Sequence, residues 1–190
     1  EQVNRMAREM AVSYVEDYSR GGNRALAIYR DTPTPIDIAD ELSDMVRRST
    51  GLTAALPEVS DYLLKYPEGR PASVDDYFYW SLAEFGLKPV VRINHVVVHA
   101  TGAEAGLQYA ITTKQLYASH YFHAALEVRA LFADPERPAA GHYLVVLNLA
   151  RTDGMTGLMG GVVKSKARSG ARAGLLKALG AMKRLAETGA

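Results

Sequence analysis

The chain has 190 residues, which suits one domain or one domain with an added helical segment. Apolar residues make up 48% and charged residues 23%, with a net charge of +1, so composition excludes a disordered or membrane-embedded chain. No apolar run approaches the roughly 18 residues of a membrane span, and the lack of cysteine excludes disulfides, thiolate metal sites and cysteine nucleophiles.

The first residue is Glu1, as expected of a processed or trimmed form, and a removed signal peptide would leave no trace. Met6, Met10, Tyr14 and Tyr18 recur every four residues and predict an amphipathic helix stopped by Gly21-Gly22-Asn23. Asp37 is placed to cap a second helix over Ile38–Arg48. A third, short helix is expected from Pro57 to Lys65. Ser73-x-x-Asp76 has capping-box spacing and predicts a further helix through Tyr77, Phe78, Tyr79, Trp80 and Leu82, ended by Gly86 and Pro89.

At residue 90 the period changes. Val90–His99 is β-branched and reads as a strand. Leu107–Tyr117, Tyr121–Phe132 and His142–Arg151 alternate as strands do, with Phe122, Ala124, Leu126 and Val128 on one face of the third. Gly154, Gly157, Gly160 and Gly161 punctuate a loop that holds Met155, Leu158 and Met159. A long final helix follows, with Ala171, Leu175, Leu179 and Met182 as its apolar stripe. Consecutive strands with helices before and after them predict an α+β fold with an antiparallel sheet. The Phe122–Val128 face is expected to meet that last stripe.

Charge is uneven. Residues 1–149 carry 14 Lys/Arg against 19 Asp/Glu, and residues 150–190 carry 8 against 2. The basic end suggests an anionic membrane surface as partner; a solvated helix face that complements the body is the alternative.

Four stretches carry a resemblance: Tyr79-Trp80-Ser81, Phe85-Gly86-Leu87-Lys88-Pro89-Val90, Thr113-Lys114-Gln115-Leu116-Tyr117-Ala118-Ser119-His120-Tyr121-Phe122, and Asn148-Leu149-Ala150-Arg151-Thr152-Asp153-Gly154. They resemble poorly characterised, often exported bacterial proteins of the START/polyketide-cyclase/Bet v1-like superfamily, most specifically over residues 79–122. The resemblance implies a helix-grip fold over the whole chain: a curved antiparallel sheet around a long C-terminal helix, with a cavity between them. Residues 1–88 would form a mainly helical N-terminal part, 89–153 the sheet, and 154–190 a gate loop and the helix. Members bind sterols, lipids and polyketides, and some act on them. An exported or periplasmic location is implied by the resemblance alone; a cytoplasmic one is the alternative.

Among residues suited to chemistry, His95 and His99 would stand about 13 Å apart along a strand, too far to share one metal ion. His120 and His123 would face opposite sides of another, so no metal site and no cofactor are expected. Lys114, Tyr117, Ser119, His120 and Tyr121 concentrate polar groups, for acid–base work on a bound carbonyl or for backbone satisfaction in a hairpin bend. Arg151 is expected to pair with Asp153 or Glu127. No Walker-A loop, GxGxxG, GxSxG or HExxH is present, and the basic helix lacks the interleaved aromatics of a nucleic-acid binder.

The expected function is binding, extending to transport, of a lipid-like, sterol or polycyclic molecule in an internal cavity. Its expected ligand-binding residues are Tyr117, His120, Phe122, Ala124, Leu126, Asn148, Met155, Leu158, Leu175 and Leu179. An enzyme (cyclase, hydrolase or isomerase) working in the same cavity is the alternative, and a filled structural module is a third reading.

Overall fold

The computed structural model describes residues 2–30, 34–84, 89–101, 106–120, 122–137, 141–152 and 160–188. The four-residue stripe of Met6 to Tyr18 forms helix α1 (Gln2–Gly21). It ends where Gly22 turns into the left-handed region at φ 64°, packed so closely on the Tyr66 carbonyl that no Cβ fits there. A two-stranded ribbon follows, β1 (Ile28–Tyr29) with β2 (Ile36–Asp37). Asp37 caps α2 (Ile38–Arg48): its carboxylate accepts from the Ala39 N–H at 2.8 Å and the Asp40 N–H at 3.4 Å. Helices α3 (Thr50–Ala55) and α4 (Pro57–Lys65) complete the helical layer, the latter with proline at its first turn.

The helix expected after Ser73 is instead a strand, β3 (Val74–Glu84). Both caps of the supposed box are committed elsewhere: the Ser73 hydroxyl meets His99, and the Asp76 carboxylate meets Tyr62 and His95. The aromatic run then alternates as a strand does, with Phe78 packed on the core and Tyr77 and Tyr79 exposed on the other side. The sheet therefore has five strands, in the order β3, β4 (Pro89–Ala100), β5 (Leu107–Ala118), β6 (Phe122–Ala133), β7 (His142–Thr152). The pairs β3–β4, β4–β5 and β5–β6 are antiparallel. Each strand neighbours the next in sequence, the simplest way to join antiparallel strands.

Register decides what each face carries. Phe78 pairs with His95, His95 with Lys114, and Lys114 with Leu126. That row points to the N-terminal helices. Ala124, Leu126, Val128 and Ala130 join Tyr18, Leu42, Val46, Val59 and Tyr62 in one core. The Phe122–Val128 face, expected to meet the last helix, is thus covered by α1, α2 and α4. Two side-chain ties reinforce the cover. Tyr14 donates from its hydroxyl to the Leu116 carbonyl at 2.9 Å, and Arg151 of β7 pairs with Glu41 and Asp44 of α2.

The chain divides into two compact units, Glu1–Arg151 and Thr152–Ala190. The second contains α5 (Gly160–Thr188), a 29-residue helix. The fold is therefore α+β: N-terminal helices, a five-stranded antiparallel sheet and a C-terminal helix.

Candidate functional site

Three groups of polar side chains stand out in the first unit. The deepest lies between the helices and the sheet. His95 is fully buried, with Nδ1 3.2 Å from the Tyr18 hydroxyl and Nε2 3.2 Å from Asp76 Oδ2. Asp76 Oδ2 also accepts from the Tyr62 hydroxyl at 2.5 Å, and Arg70 lies 3.6 Å from Asp76 Oδ1 at the rim. The carboxylate fixes the tautomer: Nε2 carries the proton and donates to Asp76, so Nδ1 accepts from Tyr18. Lys114 sits beside this relay, 1% exposed. Its ammonium nitrogen donates to Asn23 Oδ1 at 2.6 Å and to the Leu63 carbonyl at 3.4 Å, and lies 5.0 Å and 5.9 Å from the ring centres of Tyr18 and Tyr66.

Burial sets the protonation here. It pushes His95 down to about 4, helped by the nearby Lys114 charge and opposed by Asp76. It pushes the Lys114 amine down to about 7. Burial works to raise Asp76, but its hydrogen bonds from Tyr62 and His95 prevail and hold the carboxyl below the usual range. The Tyr18 hydroxyl is raised, first by burial and then by its tyrosine neighbours. At neutral pH the group is therefore a neutral imidazole bridging a protonated phenol and a carboxylate, a proton-relay arrangement enclosed in the core.

The second group opens to solvent. A cleft of about 310 Å³ is lined by Ala55, Leu56, Pro57, Glu58, Ser73, His99, Ala100 and Thr101. On its wall the Ser73 hydroxyl lies 3.1 Å from His99 Nδ1.

The third group lies on the sheet face turned away from the N-terminal helices. Tyr79 pairs with Asn94, and Asn94 with Gln115; Tyr77 pairs with Val96, and Val96 with Thr113, which pairs with Glu127. Asn94 and Gln115 are 0% and 1% exposed. Both amide atoms of Asn94 and the Gln115 Nε2 have no hydrogen-bond partner. Arg92 Nε donates to Gln115 Oε1 at 2.9 Å, and burial lowers the Arg92 guanidinium against the pull of Tyr79 and Glu127. Tyr77, Tyr79 and Tyr109 stand half exposed on the same face.

The residues singled out in the sequence scatter across these surroundings. Ala124 and Leu126 are core, under the helices. Tyr117 is half buried, edge-on to Tyr14 and Tyr29. Phe122 begins β6, half buried, and His120 lies exposed in the bend before it. Asn148 is exposed on β7, and Leu175 and Leu179 share one face of α5 by their spacing. Met155 and Leu158, like the gate loop itself and Asp153, lie outside the described residues. The polar residues of the 114–120 stretch do not act as one group: Lys114 points into the core, while the Ser119 hydroxyl accepts from the Val91 N–H at 3.1 Å, and Tyr121 lies outside the described residues. Arg151 meets α2 rather than Glu127, which pairs with Arg129. Among the described residues no cluster of three or more His, Asp or Glu is placed to hold a metal ion.

Sequence reasoning missed Asp76 as a partner of His95 and missed Asn94 altogether. The available signal was two adjacent polar residues, Asn94 and His95, inside an otherwise apolar and β-branched stretch, so that each face of the strand carries one. Comparison with protein-family models, curated proteins and solved structures finds no match to this chain.

Proposed function

We propose that the protein binds a hydrophobic small molecule, lipid, sterol or polycyclic, on the sheet face opposite the N-terminal helices. One observation carries the reading: Tyr77, Tyr79 and Tyr109 stand half exposed there, around a buried centre of Val96, Asn94 and Gln115. Large rings around a few convergent polar groups are what small-molecule sites are made of. The middle of the helix-side face is filled by core residues. A helix-grip architecture belongs to the same proposal; the order of helices, five strands and a long last helix supports it. Transport between anionic membrane surfaces would follow if the basic α5 docks on them.

Native mass spectrometry of the purified protein tests the reading. An apolar molecule should travel with the wild-type chain and be lost from Tyr77→Asp/Tyr79→Asp, whose exposed positions leave the core intact. A double variant that retains the same molecule in full would rule this face out.

A second reading, hydrolysis of an ester or amide, is favoured by the Ser73–His99 pair in its cleft. Ser73 Oγ would be the nucleophile and His99 Nδ1 the proton acceptor. Turnover of p-nitrophenyl acetate, abolished by Ser73→Ala, would support it; turnover unchanged in that variant would remove it.

A further inference from the structure

The rows Tyr79–Asn94–Gln115 and Tyr77–Val96–Thr113 put a polar centre inside an apolar surround. Buried amides almost always have partners, because an unpaired one loses more than a hydrogen bond gains. Here three amide atoms on two adjacent, fully buried residues lack any: Asn94 Nδ2, Asn94 Oδ1 and Gln115 Nε2. Turning the Asn94 amide over changes nothing, since both of its atoms are free. Arg92 adds a positive charge to the same centre. Its Nε is held by Gln115 Oε1, which aims the guanidinium, and no carboxylate among the described residues forms an ion pair with it.

We infer that Arg92, Asn94 and Gln115 recognise the carboxylate head of an apolar monocarboxylic acid. This rests on the hydrophobic-ligand reading above and specifies the ligand's polar end. Donors dominate the centre: the two amide nitrogens and the terminal guanidinium nitrogens face one free acceptor, Asn94 Oδ1. A carboxylate brings two acceptor oxygens in the planar spacing that guanidinium and amide donors match. Its single negative charge balances the single positive charge of Arg92. A phosphate dianion fits less well, because its second negative charge exceeds the one positive charge that Arg92 brings to the centre. A neutral alcohol head would leave most donors unpaired and the guanidinium uncompensated.

Calorimetric titration of delipidated protein with palmitate and with cetyl alcohol, at a mildly alkaline pH where the acid is ionised, tests this. The wild-type chain should bind palmitate more tightly than the alcohol by about tenfold or more, the worth of one charge-assisted hydrogen bond. Arg92→Gln should erase that preference, leaving palmitate and the alcohol bound about equally. Gln115→Glu is a near-isosteric second variant that keeps an acceptor for Arg92 Nε and repels a carboxylate; it should lose palmitate selectively even if Arg92→Gln does not fold. Equal binding of both probes by all three proteins overturns the carboxylate assignment and leaves the hydrophobic-ligand reading standing. Binding of neither probe by the wild-type chain overturns both.

Discussion

The Tyr18 hydroxyl and the His95 imidazole, 77 residues apart, meet at 3.2 Å inside the core. The contact ties α1 to the second strand of the sheet, and it completes a chain that runs on through Asp76 to Tyr62 of α4. The imidazole of β4 thus links α1 to β3, and its protonation state governs both of its contacts.

That makes stability depend on acid. His95 has a folded value of about 4 against an ordinary 6.5. The unfolded chain therefore takes up the proton first as pH falls. The His95 contribution to stability is full above about 6.5 and is lost as pH drops from 6.5 towards 4, by up to about 3 kcal/mol. Asp76, held below its ordinary value, extends the loss to lower pH still. Urea unfolding at a series of pH values should show this slope, and His95→Gln should flatten it between 6.5 and 4. Tyr18→Phe should cost about 1–3 kcal/mol at neutral pH, because it leaves the buried His95 Nδ1 without a donor.

Lys114 gives a second pH window, on the alkaline side. Its amine has a folded value of about 7 against 10.5. Between these values the unfolded chain carries a proton that the folded one lacks, so stability rises with pH from 7 towards 10. Above about 10 the tyrosines oppose it: burial holds Tyr14 up at about 12 and raises Tyr18 and Tyr62 as well, so folding keeps protons that the unfolded chain releases. A dome with its maximum near pH 10 is the expected profile. Lys114→Met should remove the rising limb. At pH 7 it should not destabilise strongly, because the relieved burial of an amine offsets the loss of a donor to Asn23 Oδ1. A loss of more than about 3 kcal/mol at pH 7 would show that the amine is charged and well paired in place.

Gly22 is the point where α1 gives way to the rest of the fold. With φ at 64° and the Tyr66 backbone against its α-carbon, it meets two demands that only glycine satisfies. Gly22→Ala should therefore cost more than about 2 kcal/mol, from the left-handed strain plus displacement of Tyr66. Tyr66 stacks on Tyr18 with centroids 4.6 Å apart, so the damage should reach the relay. Thermal unfolding measures the cost. Gly69→Ala is the control: Gly69 also has a positive φ, but its Cβ would meet open space, so only the strain applies.

The contrast between these residues shows what was legible in the sequence. Periodicity located α1, α2, α4 and α5 and four of the five strands, because each buries one face and the pattern of apolar residues records it. Residues 74–84 misled for a physical reason. Ser73 and Asp76 have the spacing of a helix cap, and only tertiary partners, His99 and His95, 26 and 19 residues on, reveal that they serve a strand. The candidate sites were less legible still. Asn94, Gln115 and Arg92 converge through cross-strand register, and a bulge between Ile93 and Asn94 shifts that register where no sequence signal marks it. Alternation did place Ala124 and Leu126 on the buried face; it could not say which helices cover them.

The last prediction concerns α5 and an anionic surface. The helix carries Lys164, Lys166, Arg168, Arg172, Lys177, Lys183 and Arg184 against the lone acid Glu187. No helix among the described residues is long and apolar enough to cross a membrane. Each basic residue near an anionic surface contributes on the order of 1 kcal/mol, screened within a Debye length of about 10 Å at 0.1 M salt. Co-sedimentation with phosphatidylserine-containing vesicles should therefore occur at low salt and fade as salt rises. Lys164/Lys166/Arg168→Glu should abolish it, while zwitterionic vesicles should recruit neither protein. Met155/Leu158/Met159→Ser separates two modes of contact. A further loss in this triple variant would mean that apolar side chains enter the bilayer beside the charges. Unchanged binding would mean that charge alone holds the protein at the surface. If the wild-type chain ignores anionic vesicles at low salt, the basic face of α5 is a solvated one and membrane docking forms no part of the function.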